Sequence, residues 1–331
     1  MKKKLLAMTL AGVMAAGCLT GCGSSSSSGG SAAGGGSADT AKRGEGHTIA
    51  VVLKTLNSDY WSVCAAGVEQ AEEDFGCEVM LQGPPSETSY DEQMNEIDTV
   101  LQSGTAEAIV IAPLQPETTA NIVANANIPV LAVDTTFESD KLLSYIGVSN
   151  EDAAKAMGEY AAEQLGSGAK VALLAGTQGD TTSADRMKGY TEAMEEAGCT
   201  VLETQYTDAA TDRAVTCMEG LLQKYPEGEI DAVFTLSDDV AMGAASAVEQ
   251  AGRDEVKVYG FGGISGAQPV KDGTIEATVN INPYEMGYNC VARALDAIEG
   301  KEIETFYPTE AQIIDQTNVD EYLVQLEEWT K

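Results

Sequence analysis

IAVVLKTLNSDYW, at residues 49–61, sets the architecture of this 331-residue chain. Its first five residues form a short apolar run that ends in turn residues, which is typical of a parallel strand buried on both faces. Apolar side chains then recur at three- and four-residue steps from Trp61 to Phe75, as on one face of a helix. Asn57 or Ser58 can cap the first turn of that helix. The pattern therefore predicts a strand–turn–helix unit of an open parallel sheet.

The turn between this strand and helix is the first candidate for a binding site. In open parallel sheets, ligands bind outside the carboxyl ends of the strands. The turn places a cluster of polar and aromatic side chains at that edge of the sheet. We therefore expect ligand contacts from Asn57, Ser58, Tyr60 and Trp61.

Residues 1–21 are predicted to be an export signal. MKKK is positively charged, and the apolar run that follows it is too short and too rich in Gly for a membrane span. LTGC, at residues 19–22, resembles the lipobox of bacterial lipoproteins, in which the Cys becomes the lipid-modified first residue after cleavage. An ordinary signal that is cleaved elsewhere is the alternative. We predict a lipid anchor at Cys22 that holds the protein on the extracytoplasmic face of a bacterial cell membrane.

Residues 22–46 comprise this Cys and a predicted tether. The segment is rich in Ser, Gly and Ala and has no apolar periodicity, so it cannot bury enough surface to offset its ordering entropy. The only histidine of the chain, His47, follows it directly. We interpret His47 as an exposed junction residue.

Charge and cysteine content exclude several classes of protein. The chain has 52 acidic and 19 basic residues and a formal net charge of −33, which argues against nucleic acid as a partner. The roughly 285 residues after the tether exceed what one core usually supports, which suggests two domains. The cysteines beyond Cys22 are widely spaced and form no CxxC pair, so neither a zinc site nor a disulfide framework is indicated. They are Cys64, Cys77, Cys199, Cys217 and Cys290.

Beyond residue 75, strand-like and helix-like segments alternate with little interruption. This order indicates doubly wound α/β domains. One break falls at residues 147–151, where Ser149 begins a helix with Asp152 three residues on, as in a capping box. Strands are expected at residues 78–81, 108–112, 129–133, 144–148, 170–175, 200–204, 232–236, 256–261 and 276–281.

Three stretches carry a resemblance to a known family. They are HTIAVVLKTLNSDYW at residues 47–61, NIPVLAVDTT at residues 127–136, and DAVFTLSDDVAMGAASAVEQAG at residues 231–252. In their order and spacing they are similar to segments of periplasmic-binding-protein-like domains of type I, and especially of the ribose-binding-protein group. The resemblance extends from about residue 47 to residue 325.

The resemblance implies two doubly wound parallel-sheet lobes joined by a three-strand hinge. The implied lobes are residues 47–148 with 281–308, and residues 149–280 with 309–331. A small solute is expected between them, and the chain would cross near Gly147, Ile281 and Pro308. The resemblance also implies a monomer that delivers its solute to the permease of an ABC transporter.

Asp134 and Arg186 are the main polar candidates for ligand binding. Asp134 ends a buried strand, where a carboxylate is costly to desolvate unless a ligand or a neighbour bonds to it. A turn-capping role is the alternative for Asp134. Arg186 is expected in the first turn of a helix, the unfavourable end of the helix dipole for a cation, so Asp185 or a hydroxylated ligand should compensate it. The resemblance assigns sugar binding to both positions.

Three further residues match ligand contacts of the resembling proteins. Tyr60 and Trp61 match two aromatic residues that cover the faces of a sugar ring. Trp61 also continues the apolar stripe of its helix, so core packing is an alternative for it. Ser237 matches a ligand-binding Asn, whereas we expect Asp238 to be a helix N-cap.

The chain departs from the ribose-type pattern at three expected contact positions. Thr135 stands in place of an Arg, Gly262 in place of an Asp, and Ile281 in place of a Gln. Each of these positions loses a sugar-orienting group. We therefore predict a monosaccharide or sugar-like polyol other than ribose, with contacts that include Thr135, Gly262, Asn280 and Asn282.

An enzyme is disfavoured by the motifs of the chain. No Ser-His-Asp set can be built on a histidine outside the fold, and neither GxGxxG nor a P-loop follows the first strand. We expect no metal and no cofactor, although composition leaves a glycosidase-type carboxylate pair open. The alternative to transport is a sensory module that binds a ligand and reports to a membrane kinase or chemoreceptor. Related DNA-binding repressors are disfavoured because this chain begins with an export signal instead of a basic helix-turn-helix.

Overall fold

The computed structural model describes residues 42–329. The predicted signal peptide, Cys22 and most of the predicted tether lie outside this range. Among the helices within it, none combines the length and the apolar character that crossing a membrane requires.

Strands and helices alternate through most of the described chain, with no helix between β4 and β5 or between β11 and β12, and each predicted strand run overlaps an observed strand. Ser149 caps the helix after the predicted break, and its Oγ accepts from the backbone N–H of Asp152 at 3.3 Å. In chain order, the elements are β1 (Thr48–Val52), α1 (Asp59–Phe75), β2 (Glu78–Gln82), α2 (Tyr90–Ser103), β3 (Ala108–Ile111), α3 (Pro116–Val123), β4 (Val130–Val133), β5 (Leu142–Gly147), α4 (Asn150–Leu165), β6 (Lys170–Ala175), α5 (Thr181–Glu196), β7 (Thr200–Tyr206), α6 (Thr211–Lys224), β8 (Ala232–Thr235), α7 (Asp238–Ala251), β9 (Lys257–Gly262), α8 (Ala267–Asp272), β10 (Ala277–Asn280), α9 (Pro283–Ile298), β11 (Phe306–Pro308), β12 (Gln312–Ile314) and α10 (Val319–Trp329).

The strands form two six-stranded sheets. The first has the order β11-β5-β4-β3-β1-β2, and the second has the order β12-β10-β9-β8-β6-β7. Neighbouring strands run parallel, except that β12 is antiparallel to β10. Each sheet is wound outward in both directions, which confirms the predicted fold class of two doubly wound α/β lobes.

The chain passes between the two sheets three times. It leaves the first sheet after β5, and it returns after β10 through α9, which packs against β1, β3, β4 and β5. It leaves again between β11 and β12. Strands β11 and β12 contain three residues each, and the sequence pattern predicts neither of them. They add one edge strand to each sheet beside the third passage.

Strand β1 lies inside the first sheet, between β3 and β2. Ile49, Val51 and Leu53 belong to the core on one face of the sheet, together with side chains of α1 and α9. Ala50 and Val52 belong to a separate core with side chains of α2 and α3. Successive residues of a strand point to opposite faces, so the apolar run IAVVL fills both cores at once.

Helix α1 begins and ends at clear capping residues. Ser58 is its N-cap and accepts from the backbone N–H of Trp61 at 3.3 Å, which decides between the two predicted caps. The helix ends at Gly76, where φ is 69°. It packs closely on α9 at Gly67, which has no side chain. A Cβ atom built on Gly67 would overlap the backbone carbonyl of Tyr284.

Residues 42–46, which the sequence assigns to the tether, lie on the first lobe. The backbone N–H of Gly44 donates to the carbonyl of Phe75 at 2.7 Å. Arg43 donates through Nε to Glu299 at 2.9 Å, and its guanidinium lies 5.7 Å from the centre of the Phe75 ring. His47, directly before β1, is in hydrogen-bond contact with the side chain of Glu107 through Nδ1. The folded unit therefore already includes Lys42 and Arg43.

Candidate functional site

A cavity of about 540 Å³ lies between the carboxyl ends of the two sheets. Its lining includes Lys54 after β1, Asp134 after β4, Leu236 after β8 and Ile281 after β10. Ligand sites of open parallel sheets occur at this edge, and a volume of roughly 300–1,000 Å³ is usual for small-molecule sites. The cavity is therefore the candidate binding site.

Seven of the predicted ligand-binding residues line this cavity. They come from both lobes, which places groups that are far apart in sequence around one space. The seven are Ser58, Tyr60, Trp61, Asp134, Arg186, Ser237 and Gly262.

The other four predicted residues lie outside the cavity lining. Asn57 donates to a backbone carbonyl in the loop after β2 at 2.9 Å. Asn282 is the N-cap of α9, and its own backbone N–H donates to the side chain of Asn280 at 2.9 Å. Thr135 is fully buried beside Asp134. All four side chains therefore serve the backbone or a neighbouring residue in this structure.

Asp134 carries a carboxylate that two hydroxyl groups hold in place. Its Oδ1 accepts from the hydroxyl of Tyr60 at 2.6 Å, and its Oδ2 accepts from Thr135 at 2.8 Å. The residue is only 6% exposed, and its φ of 63° is uncommon outside glycine. Burial and the neighbouring carboxylate raise the pKa of Tyr60 well above its ordinary value, so Tyr60 stays a donor. Asp134 thus has a fixed orientation and keeps lone pairs for a ligand.

Arg186 lies in the second turn of α5 and not in the first turn, because α5 already begins at Thr181 with Asp180 as its N-cap. The side chain of Asp180 accepts from the backbone N–H groups of Thr182 and Ser183. The start of the helix therefore has an acidic cap of its own, and Arg186 is further from the dipole's positive end than the sequence predicts.

The guanidinium of Arg186 is held by three neighbours. Its Nε donates to Asn150 at 2.9 Å and its Nη1 donates to the carbonyl of Leu236 at 2.8 Å. The group lies 3.8 Å from the centre of the Phe261 ring, a cation–π arrangement. No ion pair with Asp185 occurs within residues 42–329. The cation is therefore rigid, and its charge is not neutralised by its neighbour in sequence.

Tyr60 and Trp61 form an aromatic wall of the cavity. Their ring centres lie 5.1 Å apart and their planes are at 88°. Trp61 also belongs to the core under β1 and is only 3% exposed, while its Nε1 donates to Glu87 at 2.8 Å. Core packing and cavity lining, which the sequence left as alternatives, therefore both hold for Trp61.

Ser237, and not Asp238, is the N-cap of α7. Its Oγ accepts from the backbone N–H of Val240 at 3.4 Å. Asp238 is instead 3% exposed, lines the cavity and accepts from Thr278 at 2.5 Å. Burial raises the pKa of Asp238 to about 6, although the Thr278 hydroxyl and the backbone N–H of Gly266 favour the charged form. The predicted N-cap role of Asp238 is therefore wrong.

Lys54 is a cavity residue that the sequence analysis missed. It lies two residues after the end of the buried strand β1, directly after Leu53, and is 8% exposed. Among the described residues, its ammonium has no hydrogen bond and no ion pair. Burial lowers the pKa of Lys54, but the carboxylates of Asp180, Glu87 and Asp134 outweigh this effect and raise it, so the group stays charged. The sequence signal was a cation immediately after a buried strand, at the edge where ligands bind.

The cysteines and acidic residues form no metal site in the region from residue 42 to residue 329. No group of three or more His, Cys, Asp or Glu residues there is arranged to hold a metal ion. All five cysteines of the region are free. Burial raises the pKa of Cys64 and Cys77, so these thiols stay protonated.

Two relatives show how this chain compares in sequence. The ribose import binding protein RbsB of Escherichia coli (strain K12) is 29% identical over 271 residues, which covers 81% of this chain and 90% of that protein. The fructose import binding protein FruE of Bifidobacterium longum is 26% identical over 334 residues, which covers 97% of each chain.

Solved structures are similar over nearly the whole described fold. An ABC transporter solute-binding protein from Agrobacterium vitis, bound with α-D-tagatopyranose, is 26% identical with a TM-score of 0.78, covering 84% of this chain and 98% of that chain. GanP, a glucose-galactose binding protein from Geobacillus stearothermophilus, is 25% identical with a TM-score of 0.78, covering 83% and 99%. The family model described as periplasmic binding protein domain matches residues 49–302. With two doubly wound sheets around one cavity and a family match over most of its length, this chain belongs to the periplasmic binding protein domain family and has the type I fold.

Proposed function

We propose that this protein is an extracytoplasmic solute-binding protein, which captures a monosaccharide or sugar-like polyol between its lobes and delivers it to an ABC transporter permease. The observation that carries the proposal is the cavity between the two sheets, where the aromatic wall of Tyr60 and Trp61 accompanies fixed polar groups. The C–H faces of a sugar ring suit an aromatic surface, and its hydroxyls suit the polar groups.

The polar groups of the cavity call for a ligand that both donates and accepts hydrogen bonds. Asp134 is an acceptor with two of its bonds already made, whereas Lys54 offers donors that no described residue uses. Each hydroxyl of a polyol can donate to a carboxylate such as that of Asp134 and accept from an ammonium such as that of Lys54. A strongly anionic ligand would face the carboxylates of Asp134 and Asp238. A small uncharged polyol is therefore the best match.

Ribose is not the expected best ligand. Thr135, Gly262 and Ile281 cannot make the hydrogen bonds of the Arg, Asp and Gln that the ribose-type pattern has at these positions. A hydroxyl left without its partner in a buried site costs about 1–3 kcal/mol. The names of the relatives support the broader class, because they are ribose, fructose and glucose-galactose binding proteins.

The proposed cellular arrangement rests on the N-terminal sequence. We propose that Cys22 is lipid-modified and holds a monomer on the outer face of the cell membrane, with lobes of residues 47–148 with 281–308 and 149–280 with 309–331. Two relatives are named import binding proteins, which favours transport over a sensory role. The protein is proposed to act as a binding protein without a cofactor or metal.

Thermal-shift screening tests the proposal. A soluble form that begins at residue 23 would be screened against D-ribose, D-allose, D-fructose, D-tagatose, D-glucose, D-galactose and linear polyols, with hexose phosphates as anionic controls. We expect at least one neutral sugar to stabilise the protein, since a ligand at a hundred times its Kd adds about 2.7 kcal/mol. No stabilisation by any neutral sugar or polyol, or chemical turnover of the bound sugar, would contradict the proposal.

A further inference from the structure

Gly262 leaves a gap in the wall of the cavity. Its φ of 126° is a backbone conformation that residues with a side chain rarely adopt. A Cβ atom built there would lie 3.3 Å from Oδ2 of Asp238 and 3.7 Å from Cδ2 of Tyr60. The gap therefore has a carboxylate oxygen on one side and the edge of an aromatic ring on the other.

Glycines also fix the position of the Asp238 carboxylate. A Cβ atom on Gly260 would lie 2.6 Å from Oδ1 of Asp238, and one on Gly266 would overlap the same group. No side chain at these positions could coexist with the carboxylate where it now lies. The carboxylate thus lies against the backbone of Gly260 and Gly266, in space that a side chain at either position would fill.

Hydrogen bonds use most of the capacity of this carboxylate, but not all of it. Thr278 donates to Oδ1 at 2.5 Å, and the backbone N–H groups of Gly263 and Gly266 also bond to the carboxylate. An ionised carboxylate has about four lone-pair sites. These three bonds leave one acceptor site, and the gap at Gly262 lies beside Oδ2 in the cavity lining.

We propose that this gap is a hydroxyl subsite, in which Asp238 accepts a hydrogen bond from one hydroxyl of the bound sugar while the edge of the Tyr60 ring packs on the adjoining carbon. The inference rests on the proposed function and names a specificity residue for it. In the ribose-type pattern an Asp stands at position 262 itself, at the end of β9. Here the carboxylate comes from α7, so the hydroxyl it selects lies closer to the backbone of Gly262.

A specific pattern of ligand preference follows from this geometry. Because a carboxylate can only accept, a sugar that carries hydrogen or fluorine in place of the selected hydroxyl loses the bond. Sugars that differ at other positions are not affected by Asp238. The protein should therefore bind one monodeoxy analogue more weakly because that analogue lacks the hydrogen bond to Asp238. Its affinities for the remaining analogues should not depend on Asp238.

The test uses the sugar that stabilises the parent protein most in the thermal-shift panel, together with its monodeoxy analogues. Calorimetry on the parent, on Asp238→Asn and on the control Asp254→Asn gives the affinities. Asp254 is exposed in the same lobe and undergoes the same loss of charge. We expect Asp238→Asn to bind the parent sugar about ten-fold more weakly and to lose about ten-fold discrimination against one analogue only, with Asp254→Asn unchanged.

Each outcome decides the matter. If the parent protein binds a sugar and Asp238→Asn binds it with the same affinity, the subsite is overturned and the proposed function is left intact. The same holds if Asp238→Asn loses affinity equally for the sugar and for every monodeoxy analogue. A parent that binds no sugar overturns both. Circular dichroism and melting establish whether Asp238→Asn folds; if it does not, Gly262→Ala fills the gap from the other side and should penalise the selected hydroxyl. The last measurement is the affinity of the unmodified protein for the monodeoxyfluoro analogues of the sugar. If every analogue binds as tightly as the sugar itself, the subsite is overturned.

Discussion

Thr182 donates its hydroxyl hydrogen to Thr135 across the two lobes, with 3.2 Å between the two Oγ1 atoms. Thr182 lies in the first turn of α5, and Thr135 follows β4 of the first sheet. Both side chains are buried. Thr135 in turn donates to Asp134, so a chain of hydrogen bonds leads from the second lobe to the carboxylate in the cavity. Thr135, which stands where the ribose-type pattern has an Arg, therefore makes a hydrogen bond between the lobes.

The substitution Thr182→Val tests this contact, since Val keeps the volume and removes the hydroxyl. A hydrogen bond of this kind contributes about 0.5–1.5 kcal/mol, so we expect ligand affinity to fall about two- to ten-fold through loss of the closed state. Thr181→Val is the matched control, because Thr181 is exposed and adjacent in the same turn. Equal affinities of the two variants in calorimetry would contradict the role of the bond.

Asp134→Ala and Arg186→Ala should each weaken binding of the true ligand and leave the fold intact. Hydrogen bonds to charged groups contribute about 1.5–3 kcal/mol, which corresponds to a loss of roughly ten-fold to more than a hundred-fold. Asp185→Ala is the control, because Asp185 is adjacent to Arg186 but lies outside the cavity. Calorimetry with the sugar identified by thermal shift gives the answer. The site assignment fails if both variants bind as tightly as the parent.

Much of the architecture could be predicted because it depends on local patterns. The run at residues 49–53 predicts a doubly buried strand, and β1 fills two cores with alternate residues. The carboxyl ends of parallel strands share one edge, so the strand ends alone located most of the site. Strand β12 was not predicted because it contains only three residues, too few to show a periodic pattern of apolar side chains.

Some features of the site depend on contacts that spacing does not encode. Ser237, Asp238 and Asp239 are three consecutive residues that can cap a helix, and only the backbone geometry selects Ser237. That Lys54 has no hydrogen-bond or ion-pair partner among residues 42–329 is visible only when every neighbour is known. The hydrogen bond from Thr182 to Thr135 joins residues from different lobes, and no sequence period relates them.

Ligand binding should favour a closed arrangement of the lobes, because contacts from both sides of the cavity exist together only there. Small-angle X-ray scattering on the soluble form should give a smaller radius of gyration with saturating sugar than without it. The variant Thr182→Val should require more sugar for the same change. A radius that stays constant at saturation would count against closure of the hinge.

Cys22→Ala tests the proposed lipid anchor, and it concerns a residue outside the described range. Without the thiol, no lipid can be attached, so the protein should leave the membrane fraction or remain unprocessed. Fractionation and metabolic labelling with a radioactive fatty acid are the measurements. Cys18→Ala is the matched control, and it should behave as the parent does. Normal membrane retention and lipid labelling of Cys22→Ala would refute the anchor.

Asp238 makes stability depend on pH in a direction opposite to that of most carboxylates. Its pKa is raised to about 6 from an ordinary value of 3.8, mainly by burial, and the nearby charge of Asp239 adds to the shift. The phenols of Tyr190 and Tyr322 also face Asp238, and their raised pKa values keep them protonated at neutral pH. The folded state therefore binds this proton more tightly than the unfolded state does.

The stabilisation from protonated Asp238 is complete below about pH 4 and is lost as the pH rises through about 6. Two pKa units correspond to about 3 kcal/mol, which is the loss that we expect this one group to contribute between those limits. Asp238→Asn cannot titrate, so its free energy of unfolding should lack this decline, whereas Asp254→Asn should keep it. Urea unfolding of the three proteins in the absence of sugar, at several values between pH 4 and pH 7, measures the difference. Parallel curves for the parent and Asp238→Asn across this range would show that Asp238 does not carry the shifted pKa.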